Sequence, residues 1–250
     1  MLLIQIIGLS KIPLIKQGDD LARVVINAAK AEGLEILDGD VVVIAQKIVS
    51  KAEGGIVPLK SVTPSQKAEE IAKTTGKDPR HIETILRDTA RIVRLKEAHL
   101  IVETRHGFVC ANAGVDRSNV EDPESMTILP ADPDGSARDI RSRIRELTGI
   151  DAGVIISDTF GRAWRIGQVN VAIGVDGLKP IMDYRGSKDM FGYVLNVTQM
   201  AVADELASAA ELAMKKSDGV PVAIIRGFNY AKGSGSGREL IRPAQEDLFR

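Results

Sequence analysis

A mixed α/β fold, with mixed sheets and flanking helices, is what this chain predicts, and three observations carry the prediction. Short apolar runs such as Val41–Ala45 have the length and branching of buried strands. Longer stretches open on capping residues and close near glycine, as helices do. The two kinds of segment are intermingled along the chain, with no repeat, no coiled-coil heptad and no low-complexity tail.

Taken in order, residues 2–7 read as a first strand, interrupted by Gln5. Residues 20–31 read as a helix with Asp19 as its N-cap and Gly33 near its end. Val41–Ala45 follows as a buried strand. Thr63-Pro64-Ser65-Gln66 suits a helix start, with Thr63 as cap, proline at the first helical position and glutamine three residues on. Gly76 stops that helix and Asp78-Pro79 starts another. Residues 100–103 and 108–111 flank Arg105-His106-Gly107 as a hairpin. Residues 112–135, rich in Asp, Asn, Pro and Gly, read as a long loop, and such loops are often functional. A helix over 136–147 carries Arg138, Arg141, Arg143 and Arg145. The last elements are a strand beginning at Val154, a strand over 169–173, a helix over 196–215 and a strand over 220–225.

At 250 residues the chain suits one unit over 1–250, built as one large domain or as two intimately packed subdomains. A net charge of −1 gives no general pull toward nucleic acid or membrane, so any anion site must be local. Cys110 is the only cysteine, which excludes an intrachain disulfide and a thiolate zinc cluster. His81, His99 and His106 have no ligand-like spacing, so oxygen donors and Mg²⁺ or Mn²⁺ are expected over Zn²⁺. No apolar run approaches the roughly 18 residues of a membrane helix. The start lacks the basic region of a signal peptide, so a cytoplasmic location is expected.

The most informative stretch is Val154-Ile155-Ile156-Ser157-Asp158-Thr159, followed by Phe160-Gly161-Arg162-Ala163-Trp164-Arg165. An apolar run ends abruptly in an acid and a hydroxyl, and α/β ligands gather beyond strand carboxyl ends. Asp158 and Thr159 suit a hard cation there, and Arg162 and Arg165 suit the anionic oxygens such a cation would share. The bland alternative for the same residues is a helix N-cap pair and a packed surface turn. Asp116 and Asn119, three apart in the long loop, can converge on one ligand or form an Asx-turn. Lys47 and Lys51, four apart after the second strand, share a helical face that could clamp phosphates or edge the solvent. Gly233-Ser234-Gly235-Ser236-Gly237-Arg238 could wrap an anion with backbone N–H groups, yet fits neither a P-loop nor G-x-G-x-x-G. Asp204 and Glu205 diverge by about 100° on their helix and read as one polar edge. No Ser-His-Asp or Cys-His arrangement is visible, which argues against a covalent hydrolase.

Together these segments resemble the coenzyme F-420 γ-glutamyl ligase family. The likeness rests on Lys47-Ile48-Val49-Ser50-Lys51-Ala52-Glu53-Gly54, on Ser157-Asp158-Thr159-Phe160-Gly161-Arg162, and on matching stretches spread over nearly the whole chain. The resemblance implies γ-linked addition of L-glutamate to the lactyl-phosphate side chain of a deazaflavin coenzyme precursor. It implies GTP as co-substrate, GDP and phosphate as products, two Mg²⁺ or Mn²⁺ ions, accompanying K⁺, and an intertwined homodimer. Residue by residue, it implies Asp116 and Asp158 as ligands of one metal and Thr159 of a second. Ile12, Pro13, Leu14, Ile15, Gln46, Lys47, Lys51 and Asn119 become GTP contacts. Asp116, Asp158, Arg162 and Arg165 become the catalytic set, and residues 213–219 a further nucleotide and metal segment. The chain departs from the family at Lys215, where glycine is common, at Gly55 in place of arginine, and at Ala163 in place of proline. No fused nitroreductase-like domain is expected. The same ligase chemistry on another small carboxylate, and a non-catalytic nucleotide-binding protein, are the alternative readings.

Overall fold

The computed structural model describes residues 3–248. Its first half runs β1 (Gln5–Gly8), α1 (Leu21–Ala31), β2 (Val41–Ala45), α2 (Gln46–Ala52), β3 (Ile56–Pro58), α3 (Gln66–Thr75) and α4 (Pro79–Arg87). Then come β4 (Thr89–Lys96), β5 (His99–Thr104), β6 (Val109–Ala111), β7 (Ser125–Thr127) and α5 (Pro133–Thr148). The chain continues through β8 (Gly153–Arg162), β9 (Arg165–Asp176), β10 (Met182–Asp183), β11 (Gln199–Met200), α6 (Val202–Met214) and β12 (Val222–Arg226).

The mixed α/β class is as expected. Its centre is a five-stranded sheet in the order β1-β12-β2-β8-β9. Among the described residues only β2 and β8 pair in parallel, from Val41 opposite Gly153 to Ala45 opposite Ser157. Strands made of Val and Ile alone must be covered on both faces, and this sheet is. Val42, Ile44, Val154, Ile156, Val222 and Ile224 face a core with Leu21, Val25 and Ile26 of α1 and Ile140 and Ile144 of α5. Val41, Val43, Ile155, Ala223 and Ile225 face the other way, against Val202, Leu206, Ala207 and Met214 of α6. A third core gathers Ile71, Ile82, Ile85, Leu100, Val102, Val115 and Met126, under α3, α4 and the β4-β5-β6 sheet.

Several local expectations are corrected. The first strand begins at Gln5; Leu2 of the expected strand lies outside the described residues. The cap of α1 is Asp20, which accepts from the Arg23 N–H at 3.0 Å and from Arg143 Nε at 3.0 Å, so it also ties α1 to α5. Asp19 instead accepts from the Lys16 N–H. Ser65, not Thr63, caps α3, so Pro64 lies before the helix; Gly76 ends it at φ 69° and Asp78 caps α4 as expected. The long loop is broken by β7, which pairs with β3, and closes early because α5 starts at Pro133. The last helix starts at Val202, not near 196. The glycine-rich segment does wrap an anion, but an internal one. Ser236 Oγ and the Gly237 N–H donate to the Asp134 carboxylate at 2.5 and 2.7 Å. Glycine is required at 237 because a Cβ there would collide with the Ile173 carbonyl.

Candidate active site

The largest correction concerns β8. Asp158 and Thr159 do not end the strand and do not cap a helix; β8 runs on to Arg162 in a hairpin with β9. What ends is its parallel neighbour. β2 stops at Ala45 and turns directly into α2, so from Asp158 onward β8 has no partner on that side among the described residues. The expected strand ending at Asp158 is therefore not observed; the strand whose carboxyl end lies beside Asp158 is β2. Asp158 and Thr159 border the gap from opposite faces of β8, because successive strand residues alternate.

On the α1–α5 side the gap meets α2 and the loop after β6. Lys47 Nζ lies 2.6 Å from Asp116 Oδ2 and also touches the Ser118 hydroxyl and carbonyl. One turn on, Lys51 Nζ donates to the Asn119 carbonyl at 2.6 Å. Asp116 is fixed twice over. Its backbone pairs with Thr127, and its carboxylate accepts from the Ser118 N–H and hydroxyl at 2.9 and 2.8 Å. The Asx-turn is thus the arrangement observed, with Asn119 engaged through its backbone carbonyl. Burial works against ionised Asp116, but the Lys47 and Ser118 hydrogen bonds outweigh it and hold the carboxyl below its usual range. Burial pushes the Asp158 carboxyl up to about 6; the Thr159 N–H, Lys47 and Lys216 oppose this, and the charge of Asp116 adds to it. Burial and the neighbouring Lys47 charge lower Lys51.

On the α6 side, Thr159 Oγ1 donates to Asn170 Oδ1, its cross-strand partner, at 2.8 Å. Lys216 Nζ donates to both of those oxygens and to Glu211 Oε2, at 2.8, 3.0 and 2.9 Å. Asn170 is buried. Lys216, Glu211 and Asn170 were not singled out by sequence reasoning. Lys216 does fall in the 213–219 segment to which the resemblance points, and Asn170 is a polar residue inside the apolar run at 169–173.

Gln46 is the first residue of α2 and is buried, yet neither its amide nitrogen nor its oxygen has a hydrogen-bond partner. Ser157 Oγ, on the residue opposite Ala45, is likewise unpartnered. Buried polar atoms without partners are costly, and these sit together at the end of β2. Of the early segment, Ile15 is buried and Ile12 packs on the central core, while Pro13 and Leu14 are exposed. The segment leads into the Gly18 N–H, which donates to the Ala52 carbonyl and so docks beside α2.

Arg162 and Arg165 are not gathered with the carboxylates. They face each other at the exposed tip of the hairpin, and Arg162 donates to the Ile166 carbonyl. Arg162 is four residues beyond Asp158, roughly 13 Å at the usual strand rise. A 220 Å³ cleft is lined by Phe108, Phe160, Val171, Asp204, Ile241 and Arg242. Phe108 and Phe160 meet edge to face at 6.4 Å. Asp204 accepts from the Ala172 N–H, and burial raises its carboxyl above the usual range. A 260 Å³ cavity beside α3, α4 and β4 lies apart from these residues.

The donor set fits a hard cation that keeps open positions. Among the described residues no three Asp, Glu, His or Cys side chains gather as an all-protein cage. Mg²⁺ usually takes one or two carboxylates and completes its shell with water and phosphate oxygens, a pattern that Asp116 and Asp158 match, while Thr159 lies on the opposite face of β8.

Two of the departures fall where the backbone or packing is restrictive. Lys215 has φ 54° and ψ −169°, a region that is essentially glycine-only, so the glycine common there in the family suits this backbone. A Cβ at Gly55 would collide with Ser50 Oγ, so this chain's packing excludes a larger residue there without rearrangement.

Fold and site describe an α/β protein whose strand-end gap, bordered by carboxylates and lysines, is suited to a polyanion and a hard cation. Residues 10–227 match the family model described as F420-0:Gamma-glutamyl ligase, and the chain belongs to that family. It is 50% identical over 250 residues to the coenzyme F420:L-glutamate ligase of Methanothermobacter thermautotrophicus, covering 99% of each chain. It is 47% identical over 248 residues to the protein of that name from Methanocaldococcus jannaschii, covering 99% of this chain and 97% of the relative. The Archaeoglobus fulgidus protein of that name is 43% identical over 248 residues, covering 99% and 96%.

Proposed function

We propose that this chain is a GTP- and metal-dependent ligase that joins L-glutamate through a γ-linkage to the deazaflavin coenzyme F-420 precursor. Family membership supports the reaction class. The single structural observation that carries the nucleotide and metal is the juxtaposition of Gln46, Lys47, Asp116 and Asp158 where β2 ends.

In this reading the substrate carboxylate attacks the γ-phosphorus of GTP. The bond to the β–γ bridging oxygen breaks, giving an acyl phosphate and GDP. The glutamate amine then attacks the acyl carbon, phosphate departs with the C–O bonding pair, and the amine loses a proton. Asp116 and Asp158 would hold one Mg²⁺ or Mn²⁺, and Thr159 marks a second cation position. Bound divalent ions offset the repulsion between carboxylate and polyphosphate. Lys47 and Lys51 hold the loop at 116–119 against α2 and supply positive charge at its rim. Gln46 offers an unpartnered donor and acceptor to the guanine nucleotide, with Asn119 and residues 12–15 as further contacts. The Phe108–Phe160 cleft suits the planar rings of the acceptor. Arg162 and Arg165 would reach anionic groups from the hairpin tip, with K⁺ as an accompanying ion.

A homodimer belongs to this reading. Residues 184–200 expose Met190, Phe191, Tyr193 and Val197, an apolar surface that a second copy would cover. A cytoplasmic location goes with it; no helix among the described residues is long and apolar enough to cross a membrane. The test is mass spectrometry of the deazaflavin precursor incubated with protein, GTP, Mg²⁺ or Mn²⁺ and L-glutamate. A product heavier by one or more glutamyl units is expected. Folded protein that binds GTP yet gives no product overturns the choice of acceptor.

A further inference from the structure

We propose that Lys216 is a tethered cation: its ammonium fills the second cation position, so that the chain takes up one free divalent ion where its oxygen donors would otherwise take two. The inference rests on the metal reading above and sharpens it.

The geometry is that of a cation site whose cation is covalently attached. Three oxygens of three different chemical kinds, the Thr159 hydroxyl, the Asn170 amide and the Glu211 carboxylate, converge on Lys216 Nζ at 2.8 to 3.0 Å. An ammonium has three donors, and all three are spent here. The site is built rather than incidental. Asn170 is only 3% exposed, its side-chain oxygen also accepts from Thr159, and its carbonyl accepts from Ser208 Oγ of α6 at 2.7 Å.

A second observation bears on the same residue. Lys215, immediately before it, terminates α6 in a backbone region that is costly for any residue with a Cβ. Lys216 follows that turn and reaches Thr159 of β8. Backbone strain of this kind persists where the surroundings enforce it. Lys47 does the matching service on the other face of β8, where it neutralises Asp116. One face thus keeps a carboxylate, Asp158, for a mobile ion, and the other has its charge built in.

The experiment counts Mn²⁺ ions per chain by electron paramagnetic resonance, with a non-hydrolysable GTP analogue present, for the full chain and for Lys216→Met, Lys216→Arg and Lys216→Met/Glu211→Gln. Thermal unfolding checks that each variant is folded. Wild type is expected to bind one ion, Lys216→Met to gain one, Lys216→Arg to gain none, and the double variant to lose the gained ion. The increment between wild type and Lys216→Met decides the proposal: no gain overturns it, as does wild type that already binds two. The wild-type count separately decides the parent reading, since none bound would remove the ion from Asp116 and Asp158 while leaving the increment measurable.

Discussion

Gln46→Met should make the protein more stable and a worse enzyme. The Gln46 side chain is buried with its amide nitrogen and oxygen both unpartnered. Leaving a buried polar group unpaired costs roughly 1–3 kcal/mol. Methionine has nearly the same length and no such group. Allowing for imperfect packing, the substitution should stabilise the nucleotide-free protein by about 1–2 kcal/mol. For a chain of this size that raises Tm by about 2–8 °C. Nucleotide should reverse the ranking. GTP with Mg²⁺ should raise the wild-type Tm more than that of the variant, and kcat/KM should fall about tenfold if one good hydrogen bond of about 1.4 kcal/mol is lost. Scanning calorimetry with and without nucleotide, beside steady-state kinetics, measures all of this. A lower Tm without nucleotide would refute the reasoning, because the amide would then be satisfied within the folded protein. A higher Tm with unchanged GTP response would detach Gln46 from the site.

Asp158→Asn should abolish turnover while far-ultraviolet dichroism and Tm stay close to wild type; an active, metal-dependent variant would sink the assignment of the metal. Lys215→Gly should raise Tm, since relief of a strained backbone is worth about 1–3 kcal/mol and exceeds the entropy cost of glycine, roughly 0.5–1 kcal/mol; a fall in Tm means that the backbone there is unstrained. Asp78 tests the acid side. Its hydrogen bonds from Arg80 hold the carboxyl down at about 2, so its stabilisation is present above the ordinary carboxylate range and is lost as pH falls through about 2. Asp78→Asn keeps a capping group, and should cost roughly 1 kcal/mol or less at neutral pH for so exposed a pair. Urea unfolding between pH 2 and pH 5 should show the gap between the two proteins closing toward the acid end.

The parts of the fold that were legible in the sequence are those where burial forces composition. Val41–Ala45 was read with its observed bounds because a strand covered on both faces must be apolar throughout. β4, Thr-Ala-Arg-Ile-Val-Arg-Leu-Lys, was missed because one face meets solvent and its pairing with β5 is irregular. β7 was lost inside an apparent loop because three residues carry no periodicity. The end of β8 was misplaced for a different reason: polar residues at 158 and 159 looked like the end of a strand, whereas they mark the end of its neighbour. In the site, Lys47, Asp116 and Asp158 are in three separate stretches, and only the β2–α2 turn and the bridge from Asp116 to Thr127 bring them together. Lys216 had no spacing to betray it, since its partners lie on another helical turn and another strand.

The strand order has a consequence for how the chain comes into being. β12 lies between β1 and β2, so the first two strands to leave the ribosome never touch each other and both wait for the last. Gln5 finds its partner only when Arg226 has been made, and Ile44, opposite Ile156 on one side, finds its second partner only when Val222 has. Contacts so distant along the chain form slowly. Until then two strands, β2 among them wholly apolar, present open edges to any other chain nearby. Nascent protein arrested before residue 222 should therefore be captured by chaperones, and release of the finished chain should be the event that closes the sheet.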